Sequence, residues 1–541
     1  MMTGWRRDST PSLLLNMFFG FVILISSATS RPINDELGTF SFDIHHRFSD
    51  TIAKRFLFDE LPVKGSLRYY ADMVDRDLAL RGRRLADDVA PLTFKDGNQT
   101  RLISGLGFLH YASVSVGSPA VAFLVALDTG SNLFWLPCDC QKCTKILVNS
   151  SGKRIELNIY SPRNSTSSRV IPCDSDQCYQ PLSCDSASSV CPYSVDYLSD
   201  DTSSKGYLVE ENLELITDNA LQKRVSAKIT LGCGLVQTGV FLEGGAPNGL
   251  FGLGLSKSSV PTILASQGLM ADSFSLCFGS GTIGRITFGD KGSANQSEAP
   301  INFNQKHASY NITMKKISVN RKATDVIFHA IFDTGTSFAY LGDPAFSIIS
   351  NQVKSFPFQF ILRFCIRLQY DEAVNYTRFK EEIAGLPFKH CYDIRQNKNA
   401  SFPSLELTMK NGAVFKVLKP VEIVPISSVF SVYCLGIIKS DSIDIIGQNF
   451  MTGYRVVFDR ERMVVGWENS DCYSFVRTSS LPTSTAAVPT VPAANGLPSS
   501  NSSTGDPQVV VLPFPLNHSP VLLPATFLLA KALLFHIFLL W

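Results

Sequence analysis

An all-β chain folded as two similar lobes is what this sequence predicts, on three observations. Across residues 106–476, short β-branched and aromatic runs such as YASVSVG, SAKITLGCG, GRITFGD and YRVVFD are broken by Gly, Asn, Asp and Pro. Several alternate apolar and polar residues, the period of a half-buried strand. Helical stretches are few and short, with residues 260–267 and 344–356 the candidates. The third observation is a duplication. FLVALDTGSNLFWLPCDC puts Asp128 in a Gly-bearing turn after an apolar run, and AIFDTGTSFAYLG repeats this at Asp333. Each copy is followed at similar distance by an apolar strand ending in Gly, NGLFGLG in the first half and DIIGQNF in the second.

Around those lobes the 541 residues carry segments of different character, in an order that suggests secretion. Residues 1–30 have Arg6 and Arg7, an apolar run and then small residues, the order of a signal peptide. Residues 31–95 are charged and free of cysteine, and read as a removable prosegment. Within it, YYADMVDRDLALRGRR offers Asp72 with Arg76 and Asp77 with Arg81 as helical i,i+4 pairs. The basic cluster at Arg81, Arg83 and Arg84 is either a processing site or the basic end of that helix. Residues 96–300 form the first lobe, with a cysteine-rich insert, and residues 301–476 the second. Residues 477–515 are a Ser/Thr/Pro-rich linker, and residues 516–541 an apolar tail. The tail is long enough to span a bilayer, but no Lys or Arg follows it. A glycosylphosphatidylinositol (GPI) signal fits better, with Ser502 or Ser503 as attachment residue; a plain membrane span stays open.

Secretion gives the cysteines and the Asn-x-Ser/Thr triplets their meaning. Of the 13 cysteines, Cys138, Cys140, Cys143, Cys173, Cys178, Cys184, Cys191, Cys233, Cys277, Cys391, Cys434 and Cys472 are expected in disulfides of unspecified connectivity. Cys365, inside the apolar run FQFILRFCI, is the expected surplus thiol. CDCQKC lacks a matching downstream pair or His cluster for zinc, so no metal is expected, and no other cofactor. Candidate glycosylation acceptors, where exposed to the glycosylation machinery, are Asn98, Asn149, Asn164, Asn295, Asn311, Asn375, Asn399, Asn501 and Asn517. A net charge of +2 without a basic, aromatic-interleaved stripe argues against nucleic acid as partner.

Two aspartates, one per lobe, suggest a reason for the duplication. If the lobes face each other, the carboxylates meet in one cleft, and like charges that close share a proton. The ionised member can take a proton from a water held between them while the protonated member donates to a peptide carbonyl. Gly130 and Gly335 permit the turn and close backbone approach. Thr129 and Thr334 offer hydroxyls for a bond across the lobe junction, and Ser131 and Thr336 can orient the outer carboxylate oxygens.

The motifs DTGSNLFWLPCDCQKC, LGCG, GLFGLG, FSLCF, FDTGTS and IIGQNFMTGYRVVFDRERMVVGW, in this order, resemble a pepsin-type aspartic protease of the plant nepenthesin-like branch. The resemblance implies a bilobal β fold with the active cleft between homologous lobes, secretion as a zymogen, and a polypeptide substrate cut at acidic pH by a monomer. It also carries two residues over: Trp135 matches the tryptophan under the flap, the hairpin lid over the cleft, and Tyr197 the flap tyrosine. The chain departs from the family in having YLSDDTS where a Gly-rich YGDGS is common, and in the apolar residues 355–383. Some relatives are silent inhibitors of cell-wall glycosidases, so a binding protein on the same scaffold is the rival expectation. Those relatives generally lose part of the aspartate motifs, whereas both copies are intact here.

Overall fold

The computed structural model describes residues 38–56, 61–81, 106–148, 152–179, 184–197, 202–217, 222–279, 283–302, 309–354, 386–393, 403–427 and 430–473. The expected signal peptide, the basic cluster beyond Arg81, the expected linker, the apolar tail with Ser502 and Ser503, and Cys365 lie outside them. So do Asn98, Asn149, Asn375, Asn399, Asn501 and Asn517. Asn164 and Asn295 are exposed. Asn311 is half-buried, and its side-chain oxygen accepts from Asn302 Nδ2 at 2.8 Å. Among the described residues no helix is long and apolar enough to cross a membrane.

Strands dominate. A 14-stranded sheet runs through the first lobe and into the junction, and a 7-stranded sheet builds the second lobe beside a 3-stranded one. In the first lobe, β1 (Phe40–His46) is followed by helices α1 (Asp50–Phe56) and α2 (Leu67–Arg81), then β2 (His110–Val116), β3 (Val121–Asp128) and β4 (Trp135–Lys142). β2 and β3 form an antiparallel hairpin, whose β3 carries an unbroken buried run from Phe123 to Asp128. At the junction, Ser273–Phe278 pairs antiparallel with Tyr454–Asp459, so strands from both halves of the chain share one sheet. The expected helices appear as Val260–Ser266 and Ala345–Lys354.

The duplicated pattern is a duplicated local structure. β3 pairs in parallel with Leu250–Gly252, with Gly252 opposite Asp128. In the second lobe Lys322–Phe332 pairs in parallel with Asp444–Ile446, Phe332 opposite Ile446, so that Gly447 follows at the level of Asp333. Both glycines are dictated by close approach. A Cβ on Gly252 would lie 2.4 Å from the Asn132 carbonyl carbon, and one on Gly447 would lie 2.1 Å from Phe338 O. Any side chain there would push the aspartate turn off its partner strand.

All twelve expected cysteines are paired: Cys138–Cys233, Cys140–Cys143, Cys173–Cys184, Cys178–Cys191, Cys277–Cys472 and Cys391–Cys434. The Cys277–Cys472 bond spans 195 residues and ties the junction sheet to the end of the described body. Removing both sulfurs as Cys277→Ser/Cys472→Ser should destabilise by about 2–5 kcal/mol, because an open chain of that length gains much conformational entropy. A melting temperature equal to that of the unsubstituted protein would refute the estimate.

β1 and the two helices after it are built into this body. β1 lies between β2 and Ile283–Phe288, with six register pairs to the latter from Phe40↔Phe288 to His45↔Ile283. Tyr70, Met73 and Val74 of α2 are buried with Phe338, Tyr340, Phe388, Val424 and Val432 of the second lobe. Tyr70 Oη donates to Glu422 Oε2 at 2.8 Å.

Candidate active site

β3 and Lys322–Phe332 each deliver an aspartate at the end of an apolar strand, and each turn then closes on its own carboxylate. Gly130 N donates to Asp128 Oδ1 at 2.9 Å, and Gly335 N to Asp333 Oδ1 at 2.8 Å. A Cβ on Gly335 would stand 3.0 Å from Asp333 Oδ1 and 3.3 Å from Asp128 Oδ1, so the two carboxyl groups surround one small space. Across the junction Thr129 Oγ1 and Thr334 Oγ1 are 3.2 Å apart, and Thr334 N donates to Thr129 Oγ1 at 3.2 Å. These bonds are buried and fix the separation of the two turns.

The outer oxygens are treated unequally. Thr336 Oγ1 donates to Asp333 Oδ2 at 2.5 Å. Ser131 Oγ is buried without a partner of hydrogen-bond geometry, although it is near enough to Asp128 to favour its ionised form. Thr336 is thus bonded to the outer oxygen of its aspartate, whereas Ser131 makes only a loose contact with its own. Burial, with the neighbouring Asp333 charge second, pushes the Asp128 carboxyl up to about 6. A carboxyl that holds its proton into mildly acidic conditions, beside a second carboxyl, can donate to a substrate oxygen while its partner accepts from water. The proton belongs to the pair rather than to either residue.

Trp135 and Tyr197 meet. Trp135 is fully buried at the start of β4, and its Nε1–H donates to Tyr197 Oη at 2.8 Å. Tyr197 ends one arm of the hairpin formed by Pro192–Asp196 and Ser203–Ile216, closed by a 2.9 Å bond from Tyr197 N to Thr202 O. Phe241, which the sequence did not single out, stacks edge-on against both rings, at 4.9 Å from Trp135 and 5.0 Å from Tyr197. Tyr197→Phe would strand the buried indole N–H, at a cost of about 1–3 kcal/mol. The expected result is roughly a tenfold fall in kcat/KM with an intact fold; unchanged kinetics would remove the hairpin from the site.

Residues before β2 also reach this place, and sequence reasoning missed them. Arg76 of α2 is buried; its Nη2 donates to Gly335 O and its Nε to Gly107 O, both at 2.5 Å. Its Nη1 pairs with Asp77 Oδ1 at 2.5 Å, whereas the sequence suggested a helical pair with Asp72. Asp77 in turn accepts from Ser337 N at 3.0 Å, Ser337 Oγ at 2.7 Å and Tyr340 Oη at 3.2 Å. One Arg–Asp dipeptide therefore occupies backbone and hydroxyl groups immediately after the second aspartate, and the guanidinium also favours ionised Asp128. The signal was present: Tyr70, Met73, Val74 and Asp77 fall at i, i+3, i+4 and i+7, a carboxylate on an apolar stripe.

Paired aspartates on duplicated strand–turn units, their turns bridged by two threonines, with Tyr197 at the end of a hairpin arm bonded to Trp135 of β4, define an aspartic-protease type of site. The chain belongs to the pepsin-like aspartic protease family. It matches the xylanase inhibitor N-terminal family over residues 110–290 and the xylanase inhibitor C-terminal family over residues 366–469; Asp333 lies between the two matches. It is 48% identical to "Aspartyl protease family protein 1" of Arabidopsis thaliana, over 85% of this chain and 86% of that one. It is 36% identical to "Aspartic proteinase-like protein 1" of the same plant, over 80% of this chain and 81% of that one. Nepenthesin-2 of Nepenthes gracilis is 23% identical over 74% of this chain and 86% of its own. Among solved structures, conglutin gamma from lupine seeds superposes with a TM-score of 0.51 at 20% identity, covering 69% of this chain and 94% of its own. That likeness shows the fold alone.

Proposed function

We propose that this protein is a secreted, membrane-anchored aspartic endopeptidase. It hydrolyses peptide bonds at acidic pH with a water activated between Asp128 and Asp333. The observation that carries the reading is the carboxyl pair itself: both aspartates held by their turn amides, the lobes joined at Thr129 and Thr334, and Asp128 holding its proton up to about 6. Residues 31–95 act as a prosegment, a role supported by the burial of Arg76 and Asp77 against Gly335 and Ser337. Signal peptide, glycan acceptors and the GPI-like tail support delivery to the extracellular face of the cell membrane or to the cell wall. The second reading is a catalytically silent binding or inhibitor protein on this scaffold, favoured by the descriptions of the two matching families.

The test is cleavage of a denatured protein across the acid range by secreted, processed chain ending near residue 476, with a statine-type transition-state mimic as control. Cleavage blocked by the mimic supports the endopeptidase. A folded, processed chain that cuts nothing would transfer the reading to the silent scaffold.

A further inference from the structure

Two histidines sit where the N-terminal segment joins the body. His46, the last residue of β1, is the register partner of His110, the first residue of β2. They are 4% and 6% exposed, and their rings are 5.3 Å apart. His46 Nδ1 accepts from Phe48 N at 3.2 Å, which requires that nitrogen to be unprotonated. His46 Nε2 and His110 Nδ1 find no hydrogen-bond partner. Aromatic rings pack against the pair: Phe48 and Tyr69 around His46, Phe278 at 4.8 Å from His110.

The charges facing this pair make protonation worse. His46 feels Arg47 just after β1, Lys64 from the turn before α2, Arg76 from α2, and His110 itself, and every one of them opposes a positive imidazole. His110 feels Arg76 and His45 in the same sense. The carboxylates nearby are directed elsewhere: Asp72 and Asp77 of α2 act on Arg47, Glu422 of Val421–Ser427 on Lys64, and Asp43 of β1 on His45 and Arg285. Lys419 adds a further positive charge beside Lys64, and Tyr111 of β2 acts on Arg47.

We propose that His46 and His110 form an acid-released latch that holds β1 and α2 on the body at neutral pH and lets them go as the compartment acidifies. The proposal rests on the prosegment reading above. Both imidazoles are buried neutral; burial first, and then the surrounding cations, hold His46 well below its ordinary range and His110 down to about 3. Once β1 leaves, each regains an exposed pKa of about 6.5. The open state therefore binds more protons than the docked one, and docking is undiminished only above about pH 6.5. Between pH 7.5 and pH 4, one such imidazole favours the open state on the order of 100-fold. Release of α2 withdraws Arg76 and Asp77 from Gly335 and Ser337, so acidity would uncover the site under the conditions in which its carboxyl pair holds a proton.

The experiment uses the full chain with Asp128→Asn, so that self-cleavage cannot contribute. Hydrogen-exchange protection factors of the amides in β1 and α2 are followed from pH 7.5 to 3.5, beside His46→Phe, His110→Phe and the double variant. Protection should fall at least tenfold per pH unit below about 6 without a histidine substitution. Each single variant should open about one pH unit lower, and the double variant should stay closed to about pH 4. Protection unchanged by acid in the chain retaining both histidines would overturn the latch, as would a double variant opening at the same pH as that chain. Wild-type protection at pH 7.5 controls for folding, and if the Phe variants fail there, His46→Gln and His110→Gln take their place. If no variant folds, the pH of opening in the histidine-containing chain decides: opening that sets in near pH 6 supports the latch, and opening confined to the carboxylate range below about pH 4 overturns it. Opening without any cleavage by the Asp128 chain would count against the protease reading and leave the latch standing.

Discussion

Asp128→Asn will lower kcat/KM by about a thousandfold or more, and so will Asp333→Asn, because each removes one half of a proton-sharing pair and general acid–base catalysis alone is worth about 10²–10⁴-fold. The geometry gives the two substitutions similar weight. Each aspartate is held by its own turn amide and stands beside the same small space. An asparagine preserves shape but cannot hand over the proton. The pH profile has a definite sign. Asp128 is raised to about 6 by burial and then by Asp333, so the pair keeps its shared proton below about pH 6 and loses it above. Activity should accordingly fall as pH rises through about 6. Arg76 opposes that rise in the full chain, and the proposed removal of residues 31–95 would take its charge away. Asparagine variants with normal turnover would dismantle this mechanism, and so would activity that increases into the alkaline range.

Asp77→Ala should loosen the N-terminal segment at neutral pH. The substitution leaves the Arg76 guanidinium buried without its carboxylate and deprives Ser337 N, Ser337 Oγ and Tyr340 Oη of their acceptor. Removing one partner of a buried ion pair costs about 3–5 kcal/mol, which corresponds to an opening at least about 100-fold more frequent. A neutral protease should then cut residues 61–81 in the variant and spare them in the unsubstituted protein. The body, with its own sheets and disulfides, should melt unchanged. Equal resistance of the two chains would show that α2 is held by its apolar face, through Tyr70, Met73 and Val74, and that the dipeptide adds little.

How much of this was legible in the sequence depends on the range of the interaction. The strands entering Asp128 and Asp333 and their later partners could be read because each is a continuous apolar run ending in a required glycine. Trp135 and Tyr197 came from family resemblance; no local pattern brings residues 62 positions apart into a hydrogen bond. Arg76 and Asp77 were readable as helical charges but not as inward-facing ones, since helical spacing reports neighbours on one helix and says nothing of the turn packed against it. The short strand FSFDIHH passed unnoticed within a charged segment, although its apolar positions 40, 42 and 44 alternate. Disulfide pairing was closed to spacing arguments: Cys178 bonds Cys191, past the nearer Cys184.

β1 is not a flap laid over an edge; it is an interior slat of the 14-stranded sheet, with β2 on one side and Ile283–Phe288 on the other. Taking it out splits the sheet along a seam and exposes two rows of amide and carbonyl groups. Such rows recruit whatever extended chain is nearest. If the proposed prosegment is removed, the remaining protein has to reseal the seam with another stretch of itself, keep the severed slat in place, or adhere to its neighbours through the gap.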